Sequence, residues 1–249
     1  MKKNNLIIIA FLILSVFVLS ACQFLPWINV VRGSGNLITE TRLVSGFDAV
    51  RLDGAGRLVI TQGVSESLEI QAEDNLINQL TSDVQQNTLV LGFQSRLWRR
   101  SIIPTRPVTY NLTVTDLSKL TLNGAGDLDI QSLQTDTLVI EINGAGNIVI
   151  EDLSAQNLTV NLAGTGSINV SGVVSDQVIN LDGAGNYQAG DLQTQSTVIK
   201  ISGLASGTVW AAETLQVSIS GGGSVSYYGA PQVTEEISGL GQVRSLGEK

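Results

Sequence analysis

A short glycine-centred motif recurs along this chain, and its regular spacing constrains the fold more than any other feature. From Gly124 onward the first glycines of successive motifs lie 20, 20, 19, 20, 18 and 18 residues apart. Repetition at such a period is typical of a solenoid, in which each unit buries its apolar face by stacking on its neighbours. The motifs begin at Leu52, Leu122, Ile142, Leu162, Leu181, Ile201, Ile219 and Ile237.

Apolar residues recur at every second position before each glycine, which predicts short strands with one face turned inward. One inward position comprises Leu120, Ile140, Val160, Ile179, Ile199 and Val217, and the motif residues from Leu122 to Ile237 form the next. The gaps between strands are too short for helical crossovers. We therefore expect an all-β fold, a right-handed parallel β-helix with coils of about 20 residues and ladders about 4.8 Å apart.

The glycines are expected to form tight corners, because glycine adopts positive φ angles that other residues resist. The polar residue before each corner is expected to hydrogen-bond the turn backbone. The predicted turn glycines are Gly54, Gly56, Gly124, Gly126, Gly144, Gly146, Gly164, Gly166, Gly183 and Gly185.

Residues 33–116 form a less regular first portion, and the regular coils are expected over residues 117–249. The 70 residues between Gly54 and Gly124 are predicted to interrupt the coil. One short helix is expected over residues 74–80, with Asp74 as its N-cap. Strands are predicted at Leu37–Leu43, Phe47–Leu52, Leu58–Gln62, Ser67–Ala72 and Thr88–Phe93.

The N-terminal residues have the layout of a secretory signal: two lysines, an apolar run over residues 6–18, and small residues before the single cysteine, Cys22. This arrangement resembles the lipobox of bacterial lipoproteins, in which the cysteine is lipidated. The predicted divisions are a signal peptide (1–21), a lipidated tether (22–32) and a β-helix domain (33–249). Lipid on Cys22 would hold an exported protein at a membrane of the bacterial cell envelope, the outer membrane or cell surface. A plain signal peptide or an uncleaved anchor is the alternative.

Composition excludes several classes of function. The formal net charge of −8 argues against nucleic-acid binding. The chain has no histidine, which removes Ser-His-Asp and Cys-His catalysis and most zinc sites. The glycine corners lack the continuation of a phosphate-binding loop. No cofactor or metal is expected.

Asp127 and Asp129 lie two residues apart on one predicted strand face, about 6.5–7 Å from each other, a separation compatible with inverting glycoside hydrolysis. The alternation of the strand favours a solvated face instead. A calcium site is disfavoured, because Asn147, Ser167 and Asn186 replace aspartate in the following coils.

One cluster of basic residues stands out in this acidic chain: Arg96, Trp98, Arg99, Arg100 and Arg106. Arginine beside an indole can clamp an anionic sugar, a lipid headgroup or an acidic protein surface. A solvated loop whose Trp98 packs on the coil is the alternative.

Several segments together resemble the putative auto-transporter adhesin, head GIN domain family. They are Gly33–Leu37, Val44–Val50, Leu68–Leu76 and Asn87–Leu91, together with the Gly-Ala-Gly corners. The resemblance implies a right-handed parallel β-helix on an exported, often lipidated bacterial protein, and it brings no catalytic residues.

These observations predict a lipid-anchored cell-envelope protein that acts as a non-catalytic binding or structural module, such as an adhesin. The expected partners are a cell-surface glycan or an envelope protein, and the open edge of a β-helix also permits a homo-oligomer. One alternative is a polysaccharide lyase or hydrolase on the same scaffold. Another is an envelope-stress or regulatory lipoprotein that contacts other proteins.

Overall fold

The computed structural model describes residues 29–94 and 100–249, and the chain divides into two units. The first unit comprises residues 1–32 and 95–103. Its described part is a parallel pair of strands, β1 (Asn29–Arg32) and β8 (Arg100–Ile103). The second unit comprises residues 33–94 and 104–249. Among the described residues no helix is long and apolar enough to cross a membrane, and Cys22 lies outside them.

The second unit is the parallel β-helix that the repeat predicts. Equivalent residues of successive coils lie opposite one another, as Leu122 does with Ile142 and Leu128 with Ile148. Four long strands each carry the chain from one glycine corner to the next. They are β13 (Ala145–Leu162), β14 (Thr165–Leu181), β15 (Ala184–Ile201) and β16 (Leu204–Ile219). The shorter strands of this regular part are β10 (Lys119–Leu122), β11 (Ala125–Gln134), β12 (Thr137–Ile142), β17 (Gly222–Tyr228), β18 (Gln232–Ile237) and β19 (Leu240–Ser245).

The first portion of the second unit contributes both coil strands and an antiparallel layer. Its strands are β2 (Leu37–Arg42), β3 (Ala49–Leu52), β4 (Ala55–Gln62), β5 (Ser67–Glu73), β6 (Leu80–Gln85), β7 (Thr88–Phe93) and β9 (Thr109–Val114). The strands β3 and β4 pair in parallel with β7 and β9, which form the coil beneath them. The strands β2, β5 and β6 pair antiparallel with their neighbours. This layer closes the ladders at the N-terminal end of the stack.

Gly54 and Gly124 belong to consecutive coils, so the stack is continuous although the chain leaves the regular coil between them. The strand β10 pairs with β3 and places Leu122 opposite Leu52. The backbone N–H groups of Asn123 and Gly124 both donate to the Leu52 carbonyl, at 3.0 Å. The intervening chain leaves the coil, builds the coil beneath and the antiparallel layer, and returns.

The helix expected over residues 74–80 narrows to one 3-10 turn, Ile77–Gln79, which has no side-chain cap. Asp74 does not act as its N-cap: the N-cap residue is Leu76, and the Asp74 carboxylate instead accepts a hydrogen bond from the Ser34 hydroxyl at 2.5 Å. The connection between β5 and β6 is also short. Forming the first turn of an α-helix is unfavourable, and this connection has too few residues to offset that cost with further helical hydrogen bonds.

Apolar side chains from every coil fill one continuous core. The inward positions predicted from the repeat are 0 or 1% exposed in every coil but the last. There Ile237 is 42% exposed, because β18 pairs with β16 on one side and ends the stack.

Close approach between coils explains most of the corner glycines. A Cβ on Gly124, Gly144 or Gly164 would collide with the carbonyl oxygen of the corner glycine in the coil before it. Of the ten predicted turn glycines, only Gly56 and Gly146 have positive φ angles, of 153° and 155°. The expectation of positive φ is therefore wrong for the other eight. In seven of them the obstacle to a side chain is the neighbouring backbone, and at Gly54 the nearest atom is in the Phe93 ring, at 3.1 Å.

Polar corner residues bond to their equivalents in the next coil. The Asn123 amide donates to the Asp53 carboxylate at 2.8 Å, and the Asn143 amide donates to the Asn123 side-chain oxygen at 2.9 Å. The prediction that these side chains bond the turn backbone is wrong, since stacking in register brings identical positions within reach of each other.

Candidate binding groove

An open groove of about 870 Å³ crosses four stacked coils of the second unit, and we call it the polar groove. It is lined by the end of β4, the connections after β9 and β11, and the middle of β13. Its side chains are hydroxyls, amides and carboxylates, and the largest apolar one is Ala155. They include Thr61, Gln131, Ser132, Thr135, Asp136 and Gln156.

The groove lies where the coil that contains β3 and β4 is incomplete, because the chain leaves it after β4. The pairing of β11 with β4 ends at Ile130 and Ile60, because the chain turns away after Gln62 toward β5. The Gln62 side chain takes the place of the missing backbone: its Nε2 donates to the Gln134 carbonyl at 2.9 Å, and its Oε1 accepts from the Gln134 N–H, also at 2.9 Å. Gln62 thus satisfies the exposed edge of the next coil and forms part of the groove wall.

Two carboxylates supply the charge of the polar groove. Asp116 accepts a hydrogen bond from the Leu117 N–H at 2.8 Å, which fixes its orientation. The Asp136 side chain is exposed, while its backbone carbonyl accepts from the N–H groups of Gln156 and Asn157, both at 3.0 Å. The groove therefore presents negative charge together with hydrogen-bond donors and acceptors. This chemistry suits a polyhydroxylated ligand that is neutral or positively charged, and it disfavours phosphate or sulfate.

The carboxylate pair considered as a catalytic candidate already has partners. Asp129 lies outward between buried Leu128 and Ile130, as the alternation predicts, and accepts from Arg57 Nε at 2.7 Å. Asp127 accepts from the Asn147 amide at 2.9 Å. Within residues 29–94 and 100–249, no three His, Cys, Asp or Glu side chains are grouped so as to hold a metal ion.

Most of the predicted basic cluster falls outside the part of the chain that the structure describes. Arg96, Trp98 and Arg99 lie outside the described residues. Arg100 begins β8 in the first unit, and its side chain is not described. Arg106 is exposed and belongs to the second unit. A role for this cluster stays a prediction.

A buried carboxylate that the sequence did not point to fixes two backbone segments of the second unit. Glu73 is 1% exposed and accepts from the Gly35 N–H at 2.7 Å, the Thr105 N–H at 2.9 Å, and the Thr105 hydroxyl. Burial alone would raise the pKa of Glu73, but these hydrogen bonds and one from the Arg106 N–H favour the charged form and lower it.

Gln62 was not predicted from the sequence, although a signal for it exists. Gln62 ends the strand after the first corner, and the next corner follows that corner by 70 residues instead of about 20, so a coil left at that point must lose one side. Glu73 has no comparable signal, because its partners are 32 and 38 residues away in the sequence.

Comparison with known proteins agrees with this fold. Residues 46–231 match the family model described as putative auto-transporter adhesin, head GIN domain. A putative adhesin from Bacteroides fragilis NCTC 9343 is 27% identical, with a TM-score of 0.82 over 87% of this chain and 100% of that one. Among curated proteins there is no match.

Two further solved structures share the fold at lower identity. A putative lipid binding protein from Parabacteroides distasonis ATCC 8503 is 21% identical, with a TM-score of 0.73 over 88% of this chain and 100% of that one. A putative adhesin from Parabacteroides merdae ATCC 43184 is 20% identical, with a TM-score of 0.65 over 88% of this chain and 99% of that one.

The family match covers most of the chain and agrees with its repeat, its corner glycines and its parallel stack. This protein belongs to the putative auto-transporter adhesin, head GIN domain family.

Proposed function

We propose that this protein is a lipid-anchored adhesin-type module of the bacterial cell envelope that binds a glycan without cleaving it. The observation that carries the proposal is the polar groove, whose hydroxyl, amide and carboxylate side chains span four stacked coils. A chain of sugars presents hydroxyl groups at a similar repeat, and several weak contacts along one face add up to useful avidity.

The charge of the groove narrows the ligand class. Asp116 and Asp136 would repel uronic-acid or sulfated glycans, and so would the net charge of −8. We therefore propose a neutral or amino-sugar-containing glycan. Its hydroxyls would donate to the carboxylates and accept from the amides of Gln131 and Gln156.

Two observations support a non-catalytic role. The family and the Bacteroides fragilis structure are both described as putative adhesins, and neither description names an enzymatic activity. The Asp127 carboxylate already accepts a hydrogen bond from the Asn147 amide, and the Asp129 carboxylate already pairs with Arg57 Nε. Lipidation of Cys22 would tether the module to the membrane and leave the β-helix free to meet its ligand.

The test is retention of the full-length protein, purified in detergent, on immobilised polysaccharides of neutral, amino-sugar and acidic composition. Newly formed reducing ends are assayed in the same wells. We compare the wild type with a Gln131→Ala/Asp136→Asn/Gln156→Ala variant, whose positions are all exposed in the polar groove. The matched control is Gln216→Ala/Asp83→Asn, which makes the same kinds of change at exposed positions elsewhere.

We expect the wild type and the control to be retained on a neutral or amino-sugar polymer, the groove variant to be lost, and no reducing ends to form. Retention of the groove variant would refute the groove as the binding site. Retention that an Arg99→Ala/Arg100→Ala variant abolishes would assign binding to the basic cluster, and new reducing ends would favour the enzyme alternative.

A further inference from the structure

A second site, far along the stack from the polar groove, holds a lysine of this chain between two aromatic rings. The Nζ atom of Lys249 lies 5.3 Å from the centroid of the Trp210 ring and 5.1 Å from that of Tyr228. The same ammonium group donates to the Gly190 carbonyl at 2.5 Å and forms an ion pair with Asp191. These four residues, without the lysine, form what we call the ammonium cage.

Coil stacking builds the cage. Trp210 and Tyr228 are directly opposite each other on β16 and β17, so their rings come from adjacent coils. The register of β15 against β16 shifts between Ala189 and Gln193, and the residues released by this irregularity include Gly190 and Asp191. A Cβ on Gly190 would lie 3.2 Å from Tyr228 Cε2, closer than ordinary packing. Glycine there lets the backbone carbonyl approach the aromatic wall.

The cage opens into a groove of about 510 Å³ with polar walls, which include Asn169, Ser171, Gln188 and Thr208. The groove leaves room for groups attached to an ammonium, and its side chains can hydrogen-bond peptide units. Its position on coils formed by β14 to β17 separates it from the polar groove, which lies at β4, β11 and β13.

The contacts select one kind of cation. Two ring faces attract any organic cation. A carbonyl and a carboxylate, however, need N–H donors, of which a primary ammonium has three and a quaternary ammonium none. The cage therefore matches –NH₃⁺ at the end of an alkyl chain, which is the group that Lys249 itself provides.

Another cation can also displace the Lys249 ammonium group from the cage. Its side chain is 32% exposed and that of Asp191 is 75% exposed, so water screens their ion pair and a competing cation can reach the carboxylate. The acidic surface of the protein further attracts lysine-rich partners.

We propose that the ammonium cage binds a lysine side chain of a partner polypeptide, and that Lys249 occupies the cage as an intramolecular competitor until the partner displaces it. This site is independent of the glycan groove, and a failure of either assignment leaves the other intact.

The experiment titrates the full-length protein with Nα-acetyl-lysine methylamide, choline and glucosamine, and follows the ¹⁹F NMR signal of fluorotryptophan at position 210. The signal is assigned with a Trp210→Phe variant. Lys249→Met empties the cage, and Lys200→Met is the matched control, because it removes an exposed lysine elsewhere. If Lys249 fills the cage about 90% of the time, its removal lowers the Kd for the lysine derivative about tenfold.

We expect this tenfold gain in Lys249→Met, none in Lys200→Met, and weaker binding of choline and glucosamine. Adding Asp191→Asn to Lys249→Met should reverse the gain in affinity for the lysine derivative. Because the Asp191 side chain is exposed, such a loss of affinity would not be explained by a folding defect. Equal affinities in Lys249→Met and Lys200→Met would overturn the competitor role. Choline binding as tightly as the lysine derivative would overturn the primary-ammonium assignment, and tighter binding of glucosamine would assign the cage to an amino sugar instead of a polypeptide.

Discussion

Replacing Tyr187 with phenylalanine removes one hydroxyl from a buried polar network in the middle of the β-helix. The Tyr187 hydroxyl donates to Gln177 Oε1 at 2.8 Å, and Gln177 Nε2 donates to Thr197 Oγ1 at 2.9 Å. Tyr187 is 0% exposed, and Gln177 and Thr197 are 1% exposed. The substitution leaves Gln177 Oε1 without that donor and out of reach of water.

The expected cost follows from these contacts. A lost hydrogen bond contributes about 0.5–1.5 kcal/mol, and an acceptor left unpaired in the core costs about 1–3 kcal/mol. Taking the two as overlapping, we expect Tyr187→Phe to lower the free energy of unfolding by about 2 kcal/mol. For a domain of this size that corresponds to a fall in Tm of about 4–8 °C.

Tyr110 provides a matched control, because it is also 0% exposed but its hydroxyl has no hydrogen-bond partner within the described part of the chain. Burial raises the pKa of both phenols, so both stay neutral and the two substitutions remove the same group. We expect Tyr110→Phe to change stability by less than about 0.5 kcal/mol or to increase it, since the folded state no longer buries an unpaired hydroxyl.

The assay is urea denaturation of the full-length variants, followed by circular dichroism. In a Gln177→Met background the Gln177 Oε1 acceptor is absent, so Tyr187→Phe should lower the free energy of unfolding clearly less than it does in the wild type. The reasoning would be refuted if Tyr110→Phe and Tyr187→Phe were equally destabilising, or if the cost of Tyr187→Phe were the same in both backgrounds.

Four further predictions address the corners, the groove, the buried carboxylate and the lipid. Gly144→Ala should lower the free energy of unfolding by about 3 kcal/mol in urea denaturation, because its Cβ would meet the backbone of the neighbouring coil. Gly92→Ala, whose Cβ would have an ordinary contact at 3.5 Å, should be nearly neutral, and equal costs for the two substitutions would contradict the close approach of the coils. Gln62→Ala should cost about 1–2 kcal/mol in the same assay and weaken glycan retention; a loss of retention without a loss of stability would contradict its structural role. The hydrogen bonds to Glu73 hold its folded-state pKa below the ordinary value for a glutamate, so its contribution to stability is complete above that ordinary pKa and is lost as the pH falls through the lower folded value. The stability difference between wild type and Glu73→Gln should therefore shrink on acidification, and a constant difference would refute this. Cys22→Ser should abolish incorporation of a palmitate analogue and recovery in the membrane fraction, and a labelled variant would contradict lipidation there.

The regular coils could be predicted because their geometry is local and periodic. A register read from Leu122, Ile142 and Leu162 places most inward residues correctly, since parallel coils of nearly equal length must align equivalent positions. The same register puts Val173 inward with Leu133 and Leu153, but Val173 is 58% exposed because a register shift buries Val174 instead. It fails at Ile237, where burial depends on a further coil and not on the repeat.

The first portion could be predicted only in part. Strands such as Ser67–Glu73 and Thr88–Phe93 were found from their apolar pattern, but β6 and β9 were not. The stacking of β10 on β3, which brings the chain back beside Gly54, was not predicted. The coil on the other side of β3 and β4 is formed by β7 and β9, which come later in the sequence, so the order of coils in space differs from their order in the chain. Antiparallel pairing across such a segment leaves no period to detect.

The sites depend on contacts that the repeat does not encode. The alignment of Trp210 with Tyr228 follows from the register, but the position of Lys249 between their rings does not. The polar groove likewise requires knowledge of where one coil is left incomplete at Gln62.

Hydrogen exchange of the full-length protein with and without its retained glycan locates the ligand on the fold and so tests the proposed binding groove. We predict slower exchange confined to the segments that line the polar groove, residues 61–63, 115–116, 131–136 and 154–156, and no change in the Gln131→Ala/Asp136→Asn/Gln156→Ala variant. Slower exchange at residues 100–106 instead, with the groove unaffected, would contradict it.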